Sequence, residues 1–373
     1  MRSSNLLTPC WIMADTKQPP HNFNSTRADA PSAVRVPPEW APQAAIWTAW
    51  PADPDEWNGD LAAPRRDVAA LVAILAAHGN RVKLLANGAE AVATARHAVG
   101  RAAEIVEAAY GDIWLRDTGP IFARTGAGVA ALRFATNSWG GKYDLPADAT
   151  VGDDIARVSG APIARFPFVL EGGAIDHDGE GTILTTRQTL LNPNRNGWTR
   201  EQAEDALRSA LGARMVIWID EGLANDHTDG HIDNIARFVG PGRVVCQAPA
   251  GADDPNAATL NAIAQTLALA RDANGRQLDV VRIPGAGLYR NQIGEISPAS
   301  HMNFIIANGV VVVPVYGTPT QAAALDALQG VFPDRAVVGV PSTGLLGSGD
   351  AGGGSFHCIT QQQPMAGDVG MGQ

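Results

Sequence analysis

Three segments of this 373-residue chain carry residue types that suit covalent acid–base chemistry. Cys358 follows the glycine run 352–354, where a ligand can approach the backbone closely and a thiol can be activated by its neighbours. His231 and Asp233 alternate in the sequence HIDN, and on a strand both would face the same way. The alternatives are a small core cysteine and a His–Asp hydrogen bond that joins two strands.

Two further carboxylates end apolar stretches. Asp117 lies beside Arg116 in WLRDTGP, and Glu171 follows the apolar run 166–170. Buried ionisable groups are costly unless they pair or react, so both are candidate site residues. A structural Arg–Asp pair and a solvated strand end are the alternatives. Trp114, three residues before Asp117, is a candidate wall of a pocket.

Metal binding is an open alternative in the segment 225–234. His227, Asp229, His231 and Asp233 alternate, and a catalytic zinc needs three such ligands with one open position. Gly230 would interrupt the alternation if it forms a turn.

Together, one thiol, one histidine and three carboxylates suit a small cationic guanidino substrate. Carboxylates match the planar fork of a guanidinium, which stays charged at neutral pH. The thiolate would attack the central carbon, and the histidine would protonate the departing ammonia and later activate water. The residues therefore predict a hydrolase of guanidine C–N bonds.

These residues must be positioned by alternating helices and strands. Helical periodicity predicts helices at 60–78, 89–99, 200–211, 255–273 and 320–329, and apolar runs predict strands at 82–85, 215–219, 280–283 and 337–340. Between them lie strand pairs with tight turns centred at residues 126, 180, 241 and 308. The fold class is α/β.

The turns repeat at intervals of 54, 61 and 67 residues, which favours a propeller or another radial array over a plain α/β domain with evenly placed hairpins. Asp117 and Glu171 each lie nine residues before a turn centre. His231 and Asp233 lie ten and eight before the third, and His301 lies seven before the fourth. Rotation of equivalent units would bring these side chains to one axis.

The composition limits the classes of partner and the cellular location that we expect for the protein. The formal charge is −10, from 28 basic and 38 acidic residues, and there is no Lys/Arg run, which argues against nucleic acid. The three cysteines include no C-x-x-C pair and favour a reducing, cytoplasmic location. We expect residues 1–33 to be a disordered tail without a signal or membrane segment, Met13 being a second candidate start, and 34–373 to be one domain. A homo-oligomer stays open.

The chain resembles the agmatine deiminase and bacterial-type peptidyl-arginine deiminase family. The matching segments, in family order, are PPEWAPQAAIWTAWP (37–51), WLRDTGP (114–120), FATNSWGGKYD (134–144), EGGAIDHDGEGTILTT (171–186), LLNPNRN (190–196), NDHTDGHIDN (225–234) and GGGSFHCITQQQP (352–364). The resemblance implies the pentein fold, an α/β-propeller of five ββαβ-like units around a pseudo-fivefold axis.

The resemblance also implies roles for individual residues. Cys358 would be the nucleophile and His231 the acid/base. Asp117 and Asp233 would clamp the guanidinium, and Glu171 would help to hold both the guanidinium and the histidine. For the rest of the substrate, Trp114 would pack on the alkyl chain and Asp226 would bind the distal amino group. No cofactor is implied.

Two departures from the family bear on the substrate tail. His227 stands where members that act on agmatine usually have Glu, and residues 53–58 (DPDEWN) lack both arginines of the usual RPDNWR. We expect hydrolysis of agmatine to N-carbamoylputrescine and ammonia, on the route to putrescine. The alternatives are peptidyl-arginine or another guanidino compound as substrate, amidino transfer to an amine, a metal-dependent hydrolase, and a non-catalytic amine-binding protein.

Overall fold

A computed structural model describes residues 34–291, 293–347 and 353–367. The expected tail, residues 1–33, lies outside this part of the chain. The strands are β1 (Gln43–Ala49), β2 (Val82–Ala86), β3 (Glu104–Glu107), β4 (Ile121–Thr125), β5 (Gly128–Ala135), β6 (Ile163–Val169), β7 (Ile175–His177), β8 (Thr182–Thr186), β9 (Met215–Ile219), β10 (Ala236–Gly240), β11 (Arg243–Ala248), β12 (Asp279–Pro284), β13 (Ile305–Ala307), β14 (Val310–Val315), β15 (Ala336–Pro341) and β16 (Gln361–Pro364).

Helices connect these strands. The longer ones are Ala62–Ala77, Gly88–Val99, Asp148–Ser159, Arg200–Leu211, Ala257–Leu269 and Gln321–Val331. Single-turn helices are Leu115–Thr118, Ser138–Gly141, Arg187–Leu190 and Thr343–Leu346, and 3-10 turns are Asp55–Trp57, Gly172–Ala174 and Ile232–Asn234. Local sequence sets the boundaries: Thr199 and Gln202 form a capping box before Arg200–Leu211, and Gly212 ends that helix with φ 72°.

The described strands form five small mixed sheets. Four of them share one plan, a hairpin followed by a helix and a strand parallel to the second hairpin strand; they are β4-β5-β6, β7-β8-β9, β10-β11-β12 and β13-β14-β15. The four hairpins lie at the predicted turns. The fold is therefore α/β, as predicted.

The fifth sheet joins the two ends of the described chain. Its order is β16-β1-β2-β3, with β16 antiparallel to β1 and the other pairs parallel. β16 thus takes the place that the first hairpin strand has in the other sheets. This pairing has no turn signal, because its two strands are separated by most of the chain.

Apolar packing joins the sheets to their helices. The central strand β14 is buried along its whole length, as expected when both faces of a parallel pair are covered. The largest apolar cluster includes Trp47 of β1, Trp50 just after it, Leu71 of the helix Ala62–Ala77, and Ile305 at the start of β13. Within the described residues, none of the helices is long and apolar enough to cross a membrane.

Candidate active site

The candidate side chains lie on five loop segments. Each segment leads into the strand of one sheet that runs antiparallel to its neighbour, namely β4, β7, β10, β13 or β16. They place Asp117 before β4, Glu171 before β7, His231 and Asp233 before β10, Asn303 before β13, and Cys358 before β16. The segments touch one another, since Arg116 N donates to the backbone oxygen of Cys358 at 3.0 Å and Gly173 N donates to the side-chain oxygen Asp117 Oδ1 at 2.8 Å. Asp117, Glu171, His231 and Asp233, which lie eight to ten residues before their turn centres, thus occupy equivalent places before their sheets.

Gly173 marks the point where three of these side chains meet. A Cβ atom on Gly173 would lie 2.6 Å from His231 Nδ1 and 3.0 Å from both Asp117 Oδ1 and Asp233 Oδ2. These distances are below ordinary contact, so only glycine fits here without displacing the three groups. The imidazole and the two carboxylates thus surround one small space.

The conformation of this region differs from the predicted strand. Ile232–Asn234 is a 3-10 turn, and Asp229 and Gly230 before it have φ of 65° and 82°. The strand prediction for His231 and Asp233 is wrong because these left-handed residues end the alternation. His227, Asp229, His231 and Asp233 consequently do not line one strand face, and no cluster of three or more potential metal ligands occurs among the described residues.

His231 is held as an imidazolium. Its Nε2 is 3.0 Å from Glu171 Oε2 and its Nδ1 is 3.8 Å from Asp117 Oδ2. Burial alone would lower the pKa of His231, but the charge of Asp117 and the hydrogen bond to Glu171 outweigh burial and raise the pKa to about 9. At neutral pH the ring therefore has a proton to donate.

Arg195 fixes the carboxylate of Glu171. Its Nε and Nη2 donate to Oε1 and Oε2 at 2.7 and 3.1 Å, and its Nη1 donates to Asp229 Oδ2 at 2.7 Å. Burial opposes ionisation of Glu171, yet the hydrogen bond to His231 and the Arg195 charge lower its pKa overall. The result is a buried Arg–Glu–His chain.

Cys358 is 4% exposed and lies in a turn before β16, so it is not a strand residue. Asn303 Nδ2 donates to Sγ at 3.1 Å, and Asp233 Oδ2 is 3.6 Å from Sγ. Burial and the charges of Asp233 and Asp117 raise the pKa of the thiol well above its usual value. The thiol therefore needs an added positive charge to ionise.

The two aspartates have different partners. Trp139 Nε1 donates to Asp117 Oδ2 at 2.9 Å, and His357 Nδ1 lies 2.7 Å from Asp233 Oδ2. Burial raises the pKa of Asp117; for Asp233, the hydrogen bond and charge of His357 overcome burial and lower the pKa. Asp233 Oδ1 is buried without a hydrogen-bond partner in the described structure.

A cavity leads to the thiol. Its described lining consists of Glu56, Asp112, Trp114, Asp117, Trp139, Tyr143, Leu145, His227, Thr228, Gly353, Gly354 and Cys358. Trp114 forms one wall, as the sequence suggested. It stacks on Trp57 with ring centroids 5.9 Å apart, and Asp112 accepts hydrogen bonds from both indoles.

His227, Asp226 and His301 differ in their positions relative to the cavity. His227 lines the cavity, with its Nδ1 3.1 Å from the Tyr143 hydroxyl. Asp226 is not among the lining residues; Oδ1 accepts from Thr228 N and Oδ2 from Asn234 Nδ2, so it supports the 226–234 loop. His301 bonds to Pro284 O, and Asn303 occupies the place beside the thiol.

Several residues of the site escaped the sequence analysis. Asn303 and His357 are common polar types with no spacing signal, and Glu56 stands in a segment noted only for its missing arginines. Arg195 and Trp139 lie in the segments LLNPNRN and FATNSWGGKYD, where the motif was the only available signal.

Known deiminases resemble this chain over most of its length. The family model of Porphyromonas-type peptidyl-arginine deiminase matches residues 35–364. The agmatine deiminase of Stutzerimonas stutzeri is 40% identical over 354 residues, covering 88% of this chain and 95% of the relative, and that of Pseudomonas putida is 38% identical over 370 residues, covering 92% and 98%. The solved agmatine deiminase of Enterococcus faecalis is 30% identical with a TM-score of 0.83, covering 89% of this chain and 96% of the other.

More distant structures share the fold. The DDAH of Pseudomonas aeruginosa has a TM-score of 0.50 at 12% identity, covering 86% of this chain and 99% of the other. An amidinotransferase from Microseira wollei has a TM-score of 0.51 at 13% identity, covering 90% and 98%.

Proposed function

Because this chain belongs to the Porphyromonas-type peptidyl-arginine deiminase family, we propose that it is an agmatine deiminase, which hydrolyses agmatine to N-carbamoylputrescine and ammonia. The observation that carries this proposal is the meeting of His231, Asp117 and Asp233 around Gly173, with the Cys358 thiol 3.6 Å from Asp233. Such a set can bind a guanidinium and attack its carbon.

Binding prepares the nucleophile. Asp117 and Asp233 hold the guanidinium by charge-assisted hydrogen bonds. Its positive charge offsets the two carboxylates that raise the pKa of Cys358, so the thiolate becomes accessible once the substrate is in place. Asp233 Oδ2 accepts the thiol hydrogen bond at 3.6 Å, and Asn303 Nδ2 stabilises the sulfur charge. The thiol proton is lost to solvent, and the thiolate forms the S–C bond as a C–N π bond of the guanidinium opens.

His231 serves both halves of the reaction. As an imidazolium it gives its proton to the departing nitrogen, which leaves as ammonia when the C–N bond breaks. The neutral ring next takes a proton from the water that attacks the thiouronium carbon. Breaking the S–C bond returns the thiolate and releases the ureido product. Glu171, held by Arg195, keeps the ring oriented throughout.

The cavity favours agmatine over arginine. Neither Lys nor Arg occurs among its described lining residues, so an α-carboxylate has no permanent cation to meet. Glu56 offers a half-buried carboxylate, and in the described structure it makes no hydrogen bond or ion pair. We therefore assign the ammonium tail to Glu56 instead of Asp226, with Trp114 against the alkyl chain.

The same proposal extends to the architecture. Five site segments enter five sheets at equivalent places and meet, which supports five pentein units around a pseudo-fivefold axis within one domain, 34–373. Strands β7 and β10 lie in contact, as do β16 and β4, as neighbouring units of a propeller would. We further propose a cytoplasmic enzyme that supplies N-carbamoylputrescine for putrescine synthesis.

Ammonia release tests the function. Purified protein is given agmatine, arginine or a blocked arginyl peptide, each with and without prior treatment with iodoacetamide. We expect release from agmatine that alkylation abolishes. Release from the peptide with none from agmatine would replace the substrate by peptidyl-arginine, and release that survives complete alkylation of Cys358 would exclude the covalent route.

A further inference from the structure

His357 stands between two buried carboxylates, one residue before the nucleophile. Its Nδ1 lies 2.7 Å from Asp233 Oδ2, and its Nε2 lies 3.2 Å from Glu39 Oε2. All three side chains are at least nine-tenths buried. Each ring nitrogen of His357 therefore lies within hydrogen-bond distance of a buried carboxylate oxygen.

Glu39, the carboxylate on the far side of His357, is held in place by the fold. Glu39 Oε1 accepts from Ile306 N at 2.7 Å, and Oε2 also pairs with Arg237. The His357 backbone is fixed by Asn303 as well, whose main-chain and side-chain oxygens accept from His357 N at 3.1 and 3.0 Å. Neither the ring nor its partner Glu39 therefore has freedom to swing away.

The other carboxylate that His357 contacts is Asp233. Its Oδ2 bonds to His357 Nδ1 and faces the thiol, whereas its Oδ1 has no donor within the described chain. A buried carboxylate oxygen without a donor is costly unless something supplies one. A bound guanidinium has the N–H groups that this oxygen lacks.

We propose that His357 is a positioning residue for the guanidinium clamp: bonded to Glu39, it holds Oδ2 of Asp233 and leaves Oδ1 to the substrate. The inference rests on the proposed function only in requiring that a guanidinium bind beside Cys358. His357 does not touch the substrate; it acts through Asp233.

Two substitutions separate its two bonds. In His357→Asn the amide nitrogen lies as many bonds from the backbone as Nδ1 does, and in His357→Gln as many as Nε2. The control is His301→Asn, which removes another fully buried imidazole whose Nδ1 bonds only to a backbone carbonyl. Thermal unfolding establishes that each variant is folded.

The first readout is protection of Cys358 from iodoacetamide by methylguanidine, which has the guanidinium and no tail. The second is kcat and KM for ammonia release from agmatine. We expect His357→Gln to need about 30-fold more methylguanidine for protection and to raise KM similarly, because a buried charge loses its partner. His357→Asn, which keeps a donor nitrogen at the distance of Nδ1, should be impaired much less than His357→Gln, and the control His301→Asn should stay close to wild type.

Protection of His357→Gln at the wild-type concentration would overturn the inference, as would equal impairment of the Asn and Gln variants. Should the Gln variant not fold, loss of protection in His357→Asn would also overturn it. If methylguanidine protects Cys358 of the wild-type protein but agmatine is not hydrolysed, the proposed substrate is contradicted and the inference about His357 is not. The protection experiment alone then tests the role of His357.

Discussion

Arg195 makes a bidentate pair with Glu171, in which Nε donates to Oε1 at 2.7 Å and Nη2 donates to Oε2 at 3.1 Å. The Arg195 side chain is 1% exposed. A planar guanidinium can match both carboxylate oxygens at once, whereas an ammonium acts as a point charge. The position of Glu171, and through it the orientation of His231, therefore depends on the fork of Arg195.

Arg195→Lys should lower kcat/KM for agmatine by about 10- to 100-fold, the loss expected for one hydrogen bond to a charged group. Steady-state ammonia release measures it. Arg200→Lys is a suitable control, since Arg200 is half-exposed, bonds to Glu204 through one nitrogen and lies over the Trp218 ring, away from the site. Full activity of Arg195→Lys would show that charge alone suffices.

The pH profile should carry the signature of His231. Its pKa is raised to about 9, so the proton needed for ammonia departure is present below that pH and lost above it. We expect kcat/KM to fall as the pH rises through about 9. Removing the Glu171 charge in Glu171→Gln should move this limb to lower pH. A limb that stays in place would assign it to another group.

The same shift predicts a stability effect. The folded pKa of His231 lies above its ordinary value of 6.5, so protonation stabilises the fold fully below about pH 6.5, and that stability disappears as the pH rises through about 9. Chemical denaturation of wild type and His231→Gln at pH 6 and pH 10 measures it. The difference between the two proteins should shrink at the higher pH.

Cys358→Ser should abolish turnover and keep agmatine binding, because a hydroxyl is a far weaker nucleophile than a thiolate in the same place. Calorimetric titration with agmatine measures the binding and ammonia release the turnover. Cys246→Ser, at a buried strand position, is the matched control for loss of a thiol. Residual turnover above about 10% of wild type would argue against covalent catalysis.

Glu56→Gln should raise KM for agmatine about fivefold, the effect of about 1 kcal/mol for a half-buried ion pair, and should leave the protection of Cys358 by methylguanidine unchanged. His227→Glu is the reciprocal change and should lower KM for agmatine by adding a charge at the cavity wall. Equal effects on agmatine and methylguanidine would remove Glu56 from the tail.

Much of the fold could be predicted because its signals are local. Tight turns and apolar periodicity located four hairpins and five helices. The helix Asp148–Ser159 was missed although Val151, Ile155 and Val158 have helical spacing, and β1 and β16 were missed because no turn links them. The offsets before the turns pointed to Asp117 and Glu171. Residues at the same distance before equivalent hairpin turns occupy the same place relative to their sheets.

Other parts of the site could not be predicted from local signals. The left-handed backbone at Asp229 gives little warning in a non-glycine residue, so the 3-10 turn at 232–234 was read as a strand. Asn303 and His357 acquire meaning only from contacts between segments more than 50 residues apart. Such contacts depend on sheet pairing, which no local pattern reveals.

The pairing of β16 with β1 also sets the order in which the enzyme can become active during synthesis on the ribosome. Cys358 lies just before β16, so its place beside Asp233 is secured only when almost the last described residues have emerged and joined a strand made near the beginning. A nascent chain that lacks β16 already holds the acids and His231 but not Cys358, the proposed nucleophile. On the proposed covalent mechanism, turnover therefore begins only after β16 has been made and has paired with β1.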